Sequence, residues 1–160
     1  MGHFSVVIVF LLYSLLLGVL SQTICPNGFK MHLEAENECS RYGGTLATIK
    51  NAVDNRAVSN FAASAGINTV WIGMFCFTDG NFTSCFHDDD SGPMLYSSFA
   101  AGNPNVKGNG GCVYMQVSGK TAGQWISTSC GVAGMPFICE APMTDPGMFG
   151  KDLLCRSLFD

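Results

Sequence analysis

The chain has few charged side chains, and several motifs that would identify an enzyme are missing. Only 12% of the 160 residues are charged, and the 8 lysines and arginines form no cluster. Nucleic acids and anionic membranes are therefore poor candidate partners. No G-x-S-x-G sequence occurs, and His32 and His87 have no candidate nucleophile nearby in the sequence. We therefore expect a protein that is not an enzyme.

Cysteine spacing also excludes a common kind of metal site. The chain has 8 cysteines but no C-x-x-C pair. An even number of cysteines in a secreted chain favours disulfides over metal ligation. Only two histidines lie beyond the first twenty residues, so a zinc site is not expected. The length suits one domain of ordinary size.

The first residues form the one long apolar run. It extends from Val6 to Val19, is followed by Leu20 and the small residue Ser21, and precedes every charged side chain of a chain with net charge −4. This pattern predicts a signal peptide over residues 1–21 and a secreted, extracellular protein, with no later segment able to span a membrane. An uncleaved signal anchor remains the alternative, because only His3 and the terminal amine precede the run.

Apolar spacing predicts two helices followed by several short strands. The inner face of the first helix would carry Leu33, Ala35 or Glu36, Cys39 and Tyr42, and the helix would end at Gly43-Gly44. The second would run from Asn51 to Ser64. Its inner positions would be Val53, Ala57, Val58, Phe61 and Ala62. Strands are predicted at 45–49, 70–77, 112–117, 123–127 and 135–139.

A β-hairpin is predicted around Asp79-Gly80-Asn81. Cys76 and Cys85 lie on either side of this turn sequence, so a local disulfide between them is the simplest interpretation. Asn81-Phe82-Thr83 is an N-glycosylation sequon in the same turn. We therefore expect a glycan on Asn81.

A long segment without helical or strand periodicity separates the predicted strands, from Asp88 to Gly111. Loops of this length inside a compact domain are usually functional or disordered, and we interpret this one as the binding surface. Asp88-Asp89-Asp90 precedes Ser91-Gly92-Pro93, which predicts a turn with solvated carboxylates rather than an ion site. His87 is expected to be a polar surface residue.

Taken together, these residues resemble the C-type lectin-like domain family, in particular its secreted nematode members. The resemblance covers most of residues 25–141. It is carried by Cys39, Gly43 to Ile49, Trp71-Ile72-Gly73-Met74, Asn103-Pro104-Asn105, Cys112, Gly123-Gln124-Trp125, Cys130 and Phe137-Ile138-Cys139-Glu140. It implies an α+β fold in which two helices flank two small antiparallel sheets, stapled by disulfides, with a long binding loop. The domain would span residues 22–141, and residues 142–160 would form a tail.

The family pattern also implies two disulfides, Cys39–Cys139 and Cys112–Cys130. Cys25 would then pair with Cys155, or both would be free or intermolecular. Only 13 residues separate Cys25 from Cys39, so the hairpin that usually precedes the first helix is abbreviated. A splice form or a shortened gene model would give the same sequence.

The resemblance raises the question of calcium, which many family members use to bind sugar hydroxyls. In them a Glu-Pro-Asn or Gln-Pro-Asp and a Trp-Asn-Asp supply the oxygens. Here Asn103-Pro104-Asn105 and Trp125-Ile126-Ser127 provide neutral groups, whereas calcium needs six to eight oxygens, several of them charged. We expect no calcium and no other cofactor. The family pattern further implies a cis peptide before Pro104.

Two functions fit these residues. The first is carbohydrate recognition without calcium, in host defence, with aromatic faces stacking on sugar rings and amides donating and accepting hydrogen bonds. The candidate ligand-binding residues are Tyr96, Phe99, Asn103, Pro104, Asn105 and Asn109. The alternative is a calcium-independent protein-interaction module that binds no sugar, in which the same loop meets a protein partner and Trp125 serves only the core.

Overall fold

The structure, a computed structural model, describes residues 21–24, 32–132 and 134–141. Residues 1–20 of the predicted leader, both Cys25 and Cys155, and the tail from residue 142 lie outside these ranges. In chain order the elements are β1 (Ser21–Ile24), α1 (His32–Arg41), β2 (Thr45–Leu46), α2 (Ala52–Ser64), β3 (Thr69–Asp79), β4 (Phe82–His87), α3 (Val106–Asn109), β5 (Cys112–Gln116), β6 (Trp125–Thr128) and β7 (Ile138–Ala141).

Two antiparallel sheets organise the domain, and together with the helices they confirm the predicted α+β fold. The smaller sheet has the order β1-β7-β2, and the larger has the order β4-β3-β5-β6. Trp71 of β3 forms a parallel bridge with Phe137, and both side chains are buried. This contact joins the two sheets next to the inner face of α1, where Ala35 and Cys39 are buried.

Helix α1 has the predicted position, but its inner face differs from the expectation. The structure buries His32, Ala35 and Cys39, while Leu33 and Tyr42 are exposed. The prediction was wrong for these two residues because it assumed that the most apolar side chains mark the buried face of the helix. Residues 32, 35 and 39 are three and four positions apart and share one face. The helix ends at Gly43, whose φ is +72°, as the glycine pair predicted.

Helix α2 begins one residue after the predicted start, because Asn51 is its N-cap. The Asn51 side chain accepts hydrogen bonds from the backbone N–H groups of Val53 and Asp54, which would otherwise lack partners. Val58 and Ala62 are buried as expected, with Phe61 packed against the core. Val53 is exposed, and so is Ala57, contrary to the prediction. The buried face is therefore narrower than the apolar pattern suggested.

Three disulfides connect these elements, and all three have the predicted pairing. They are Cys39–Cys139, Cys76–Cys85 and Cys112–Cys130. The first joins α1 to β7 across a sequence separation of 100. On the chain-entropy model, closing a loop of that length contributes about 4.7 kcal/mol of stability. This staple therefore fixes the ends of the domain against each other.

The smaller sheet contains an N-terminal strand that the sequence did not predict. Backbone groups of Ser21–Ile24 pair with β7, with Thr23 opposite Cys139. Thr45 and Leu46 pair on the other side of β7, so β2 is shorter than the predicted strand at 45–49. Within the described residues, no helix has the length and apolarity needed to cross a membrane.

Candidate ligand-binding site

The long loop is anchored to the domain at Trp125, the first residue of β6. Trp125 is fully buried, and its indole N–H donates a hydrogen bond of 2.8 Å to Asn55 Oδ1 on α2. Its backbone N–H donates to the carbonyl of Ser98, and its own carbonyl accepts from Ala100 N–H. The middle of the loop therefore lies beside β6 as an additional bonded segment.

Tyr96 and Phe99, two of the predicted ligand residues, pack against this same tryptophan. Their ring centroids lie 5.6 Å and 5.4 Å from that of Trp125, with interplanar angles of 77° and 83°. Such edge-to-face pairs contribute about 0.5–1.5 kcal/mol beyond the burial of their area. Both rings are half-buried, so a large part of each is occupied by the loop's own packing.

Asn103, Asn105 and Ser127 form a closed hydrogen-bond network at the position where the family resemblance implies an ion site. Asn103 Oδ1 accepts from both the backbone N–H and the hydroxyl of Ser127, at 3.1 Å and 3.2 Å. The Ser127 oxygen in turn accepts from Asn105 N–H at 2.7 Å. A carbonyl oxygen has two lone pairs, so both acceptor positions of Asn103 Oδ1 are filled by the protein.

The remaining loop residues surround a single helical turn, α3. Asn105 caps it, because its Oδ1 accepts from Gly108 N–H at 3.2 Å. The Asn103–Pro104 peptide is cis, as predicted from the family pattern. Asn105 and Asn109 are exposed, and Pro104 is half-buried. The structure thus places the predicted amides on one segment, with Asn105 and Asn109 open to solvent and Asn103 turned toward β6.

Beside this loop, the β3–β4 hairpin presents an apolar face to solvent. Phe75 and Phe86 are opposite each other, and Phe77 and Phe86 stack with centroids 5.5 Å apart. Phe82 lies at the start of β4 on the same face and is exposed. The turn of the hairpin carries Asn81, also exposed, so the predicted sequon is accessible.

The acidic run after β4 does not behave as one solvated group. Asp89 follows the prediction, since its carboxylate accepts from Ser91 N–H and pairs with Lys50 Nζ, both at 3.0 Å. These partners outweigh burial and hold the pKa of Asp89 at about 2. The prediction was wrong for Asp88, whose side chain is only 8% exposed, and for His87, which is buried. Burial lowers the pKa of His87.

Asp88 faces two residues of α1 that the sequence had not linked to it. Its carboxylate lies 3.5 Å from His32 Nε2, and ligand atoms of His32, Glu36 and Asp88 all lie within 4.8 Å of one another. Burial raises the pKa of Asp88 to about 7, and the charges of Glu36 and Asp89 add to the rise. Burial also lowers the pKa of His32. The four-residue spacing of His32 and Glu36 was visible in the sequence, but the approach of Asp88 was not.

Comparison with known sequences identifies the family. The family model described as the lectin C-type domain matches residues 30–141. The C-type lectin domain-containing protein 38 of Caenorhabditis elegans is 36% identical over 140 residues, which cover 78% of this chain and 36% of that protein. Collectin-11 of Danio rerio is 34% identical over 113 residues, covering 69% of this chain and 39% of that protein. The chain thus matches between a third and two fifths of the length of these relatives.

Solved structures agree on the fold. The carbohydrate-recognition domain of cow CD23 superposes with a TM-score of 0.60 at 23% identity, covering 78% of this chain and 87% of that one. Human lithostathine gives a TM-score of 0.62 at 19% identity, covering 76% and 90%. With the family model matching most of the described residues, the chain belongs to the C-type lectin domain family.

Proposed function

We propose that this protein is a secreted, non-enzymatic lectin-like binding protein that recognises carbohydrate without calcium, in host defence. Family membership supports the binding role in general. The observation that carries the calcium-independent form is the filled acceptor set of Asn103 Oδ1, which takes two hydrogen bonds from Ser127. A calcium ion would need that oxygen and several charged ones beside it.

Contacts within the protein also support the folded arrangement of the loop. Backbone bonds to β6, the Asn105 cap and the packing on Trp125 together hold residues 96–109. These contacts support a loop that is ordered without an ion. Asn105 and Asn109 offer exposed amides that can donate to and accept from sugar hydroxyls. These two residues are the sugar-contacting groups that we expect to matter most.

The test is a glycan array run in millimolar calcium and again in chelator. We expect the same glycans to be bound in both, and we expect Asn105→Ala and Asn109→Ala to weaken binding. A Ser129→Ala variant is a suitable control, because Ser129 is exposed and lies outside the long loop. Binding that appears only with calcium would overturn the calcium-independent form of the proposal.

Thermal melting provides a second measurement that needs no known sugar. An ion that binds only the folded state stabilises it by about 2.7 kcal/mol at 100 times its dissociation constant, which raises the melting temperature by several degrees. We expect no rise with calcium, and none in Asn103→Glu, which restores one carboxylate only. The thermal melting of the Asp88→Asn variant should be measured in parallel, so that an ion acting at Asp88 is not assigned to Asn103.

The alternative, a protein-interaction module that binds no sugar, is favoured by the exposed face of the hairpin. Phe77 and Phe86 stack and are partly exposed, and Leu95 in the neighbouring loop is 93% exposed. Exposed apolar patches of this kind mark interaction sites on many proteins. If the alternative holds, the glycan array will be blank, and Phe77→Ser will abolish recognition of the partner while Asn109→Ala leaves it intact.

A further inference from the structure

A buried polar cluster outside the loop tip is not explained by the lectin-like role. It consists of His32 and Glu36 on α1 and Asp88 at the end of β4. His32 is 3% exposed and the Asp88 side chain 8% exposed, while Glu36 is half-buried. Ligand-type atoms of all three lie within 4.8 Å of one another. The fold therefore brings one imidazole and two carboxylates to one point.

One atom of this cluster lacks a partner of the ordinary kind. Asp88 Oδ2 is buried and makes no hydrogen bond within the described part of the chain. A buried carboxylate oxygen without hydrogen bonds is costly and normally coordinates a metal, pairs with a cation or takes up a proton. Within the described residues, Asp88 Oδ2 lies 3.5 Å from His32 Nε2, and burial disfavours a charged His32. Asp88 Oδ2 is therefore available as a ligand atom for a cation.

We propose that His32, Glu36 and Asp88 bind a divalent transition-metal ion of the zinc class. One imidazole nitrogen and two carboxylate oxygens are typical zinc donors, whereas calcium takes oxygen ligands only. Two ligands at about 2.1 Å from a tetrahedral ion lie about 3.4 Å apart. The His32–Asp88 distance of 3.5 Å already meets this value. The other separations are within 4.8 Å, so the Glu36 carboxylate would have to move inward by up to about 1.4 Å to reach the tetrahedral spacing.

The geometry also defines what binding would change locally. His32 Nε2 lies 3.3 Å from the carbonyl of Ile72, and that nitrogen must be unprotonated to coordinate a metal. Metal uptake would therefore exchange this long hydrogen bond for a coordinate bond. Half-exposed Glu36 provides the route by which an ion enters. Because Asp88 is the first residue of the long loop, the ion would tie that loop to α1.

The test uses the protein produced by secretion, so that its disulfides form, without a histidine tag and after dialysis against chelator. Zinc is then titrated by calorimetry, and cobalt is added in parallel to record visible absorption from its d–d transitions. We expect one ion per chain. We also expect the melting temperature to rise by roughly 5–10 °C at 100 times the dissociation constant. Calcium at the same concentration should give neither signal.

Two variants of nearly unchanged shape assign the site, Asp88→Asn and Glu36→Gln. Each should weaken zinc affinity more than about 100-fold, since loss of a supporting contact alone costs 10–100-fold. The control is Glu34→Gln, which lies on the exposed side of the same helix and should bind zinc like the parent. Circular dichroism in chelator verifies that each variant is folded.

Three results would overturn the proposal. The first is the absence of zinc binding in the folded parent protein, which would mean that His32 and Asp88 share a proton instead. The second is zinc binding that survives both Asp88→Asn and Glu36→Gln, which would place the ion elsewhere. The third is tighter binding of calcium than of zinc at these residues. Because none of these measurements uses a glycan, their outcome is independent of the proposed carbohydrate recognition.

Discussion

Replacing Ser127 by alanine should test whether the hydrogen-bond network at the loop, rather than an ion, holds the candidate site together. Ser127 is fully buried on β6. Its hydroxyl donates to Asn103 Oδ1 at 3.2 Å and accepts from Asn105 N–H at 2.7 Å. The substitution removes only the side-chain hydroxyl and leaves the backbone pairing of β6 in place. Its effect therefore reports on the loop connection alone.

The magnitude follows from those two contacts. A typical intramolecular hydrogen bond contributes about 1 kcal/mol net, and a partly buried donor left without a partner costs about 1–3 kcal/mol. Asn103 Oδ1 keeps its bond from Ser127 N–H, whereas Asn105 N–H loses its acceptor. We therefore expect a loss of about 2–3 kcal/mol in the free energy of unfolding. For a domain of this size, the melting temperature should fall by roughly 6–12 °C.

The measurement is chemical denaturation of the disulfide-intact protein, with Ser129→Ala as the matched control. The Ser129 hydroxyl is exposed and accepts only a bond of 3.3 Å from Gly131 N–H, so its loss should change stability by less than about 0.5 kcal/mol. Calcium should restore no stability to Ser127→Ala. A loss below 0.5 kcal/mol for Ser127→Ala, or a full rescue by calcium, would refute the view that protein contacts close this site.

Three further predictions concern the scaffold. The secreted protein should lose mass on treatment with an N-glycosidase, and Asn81→Gln should abolish that change; an unshifted parent protein would show that the exposed sequon is unused. Replacing both Cys76 and Cys85 by alanine should cost about 2.6 kcal/mol on the chain-entropy model, measured by denaturation, and a neutral result would contradict it. Gly73→Ala should destabilise by about 1–3 kcal/mol, because its Cβ would lie 2.6 Å from a backbone carbonyl oxygen in β2; unchanged melting would refute this close approach.

The α+β fold could be predicted from the resemblance to the C-type lectin-like family, whereas the β3–β4 hairpin and the helix ends could be predicted from local signals. The Asp79-Gly80-Asn81 turn and the pair Cys76 and Cys85 each indicated the same hairpin, which the structure confirms. Gly43 marks the end of α1 through its backbone conformation, and Asn51 marks the start of α2 through its side-chain cap. Both roles depend on neighbouring residues only. Local chemistry of this kind can be read without knowing the tertiary contacts.

The inner faces and the polar cluster could not be predicted in the same way, because long-range contacts decide them. His32 is buried since it packs edge-to-face on Trp71, with ring centroids 5.1 Å apart, while the more apolar Leu33 is exposed. Asp88 was expected to be solvated because the acidic run is followed by the turn sequence Ser91-Gly92-Pro93. It is buried because Asp88 N–H bonds to the carbonyl of Gly73, which directs the chain back toward α1.

The two ends of the long loop are therefore held by different chemistry, and this difference separates the two proposals. At the β6 end, Asn103 Oδ1 accepts two hydrogen bonds from Ser127, so a cation would have to displace these bonds in order to bind there. At the β4 end, Asp88 Oδ2 has no hydrogen bond among the described residues, so a cation would satisfy it. An ion that alters ligand affinity should consequently act through Asp88, at the start of the loop. Its effect should vanish in Asp88→Asn and persist in Asn103→Ala, the reverse of what a calcium-dependent sugar site would give.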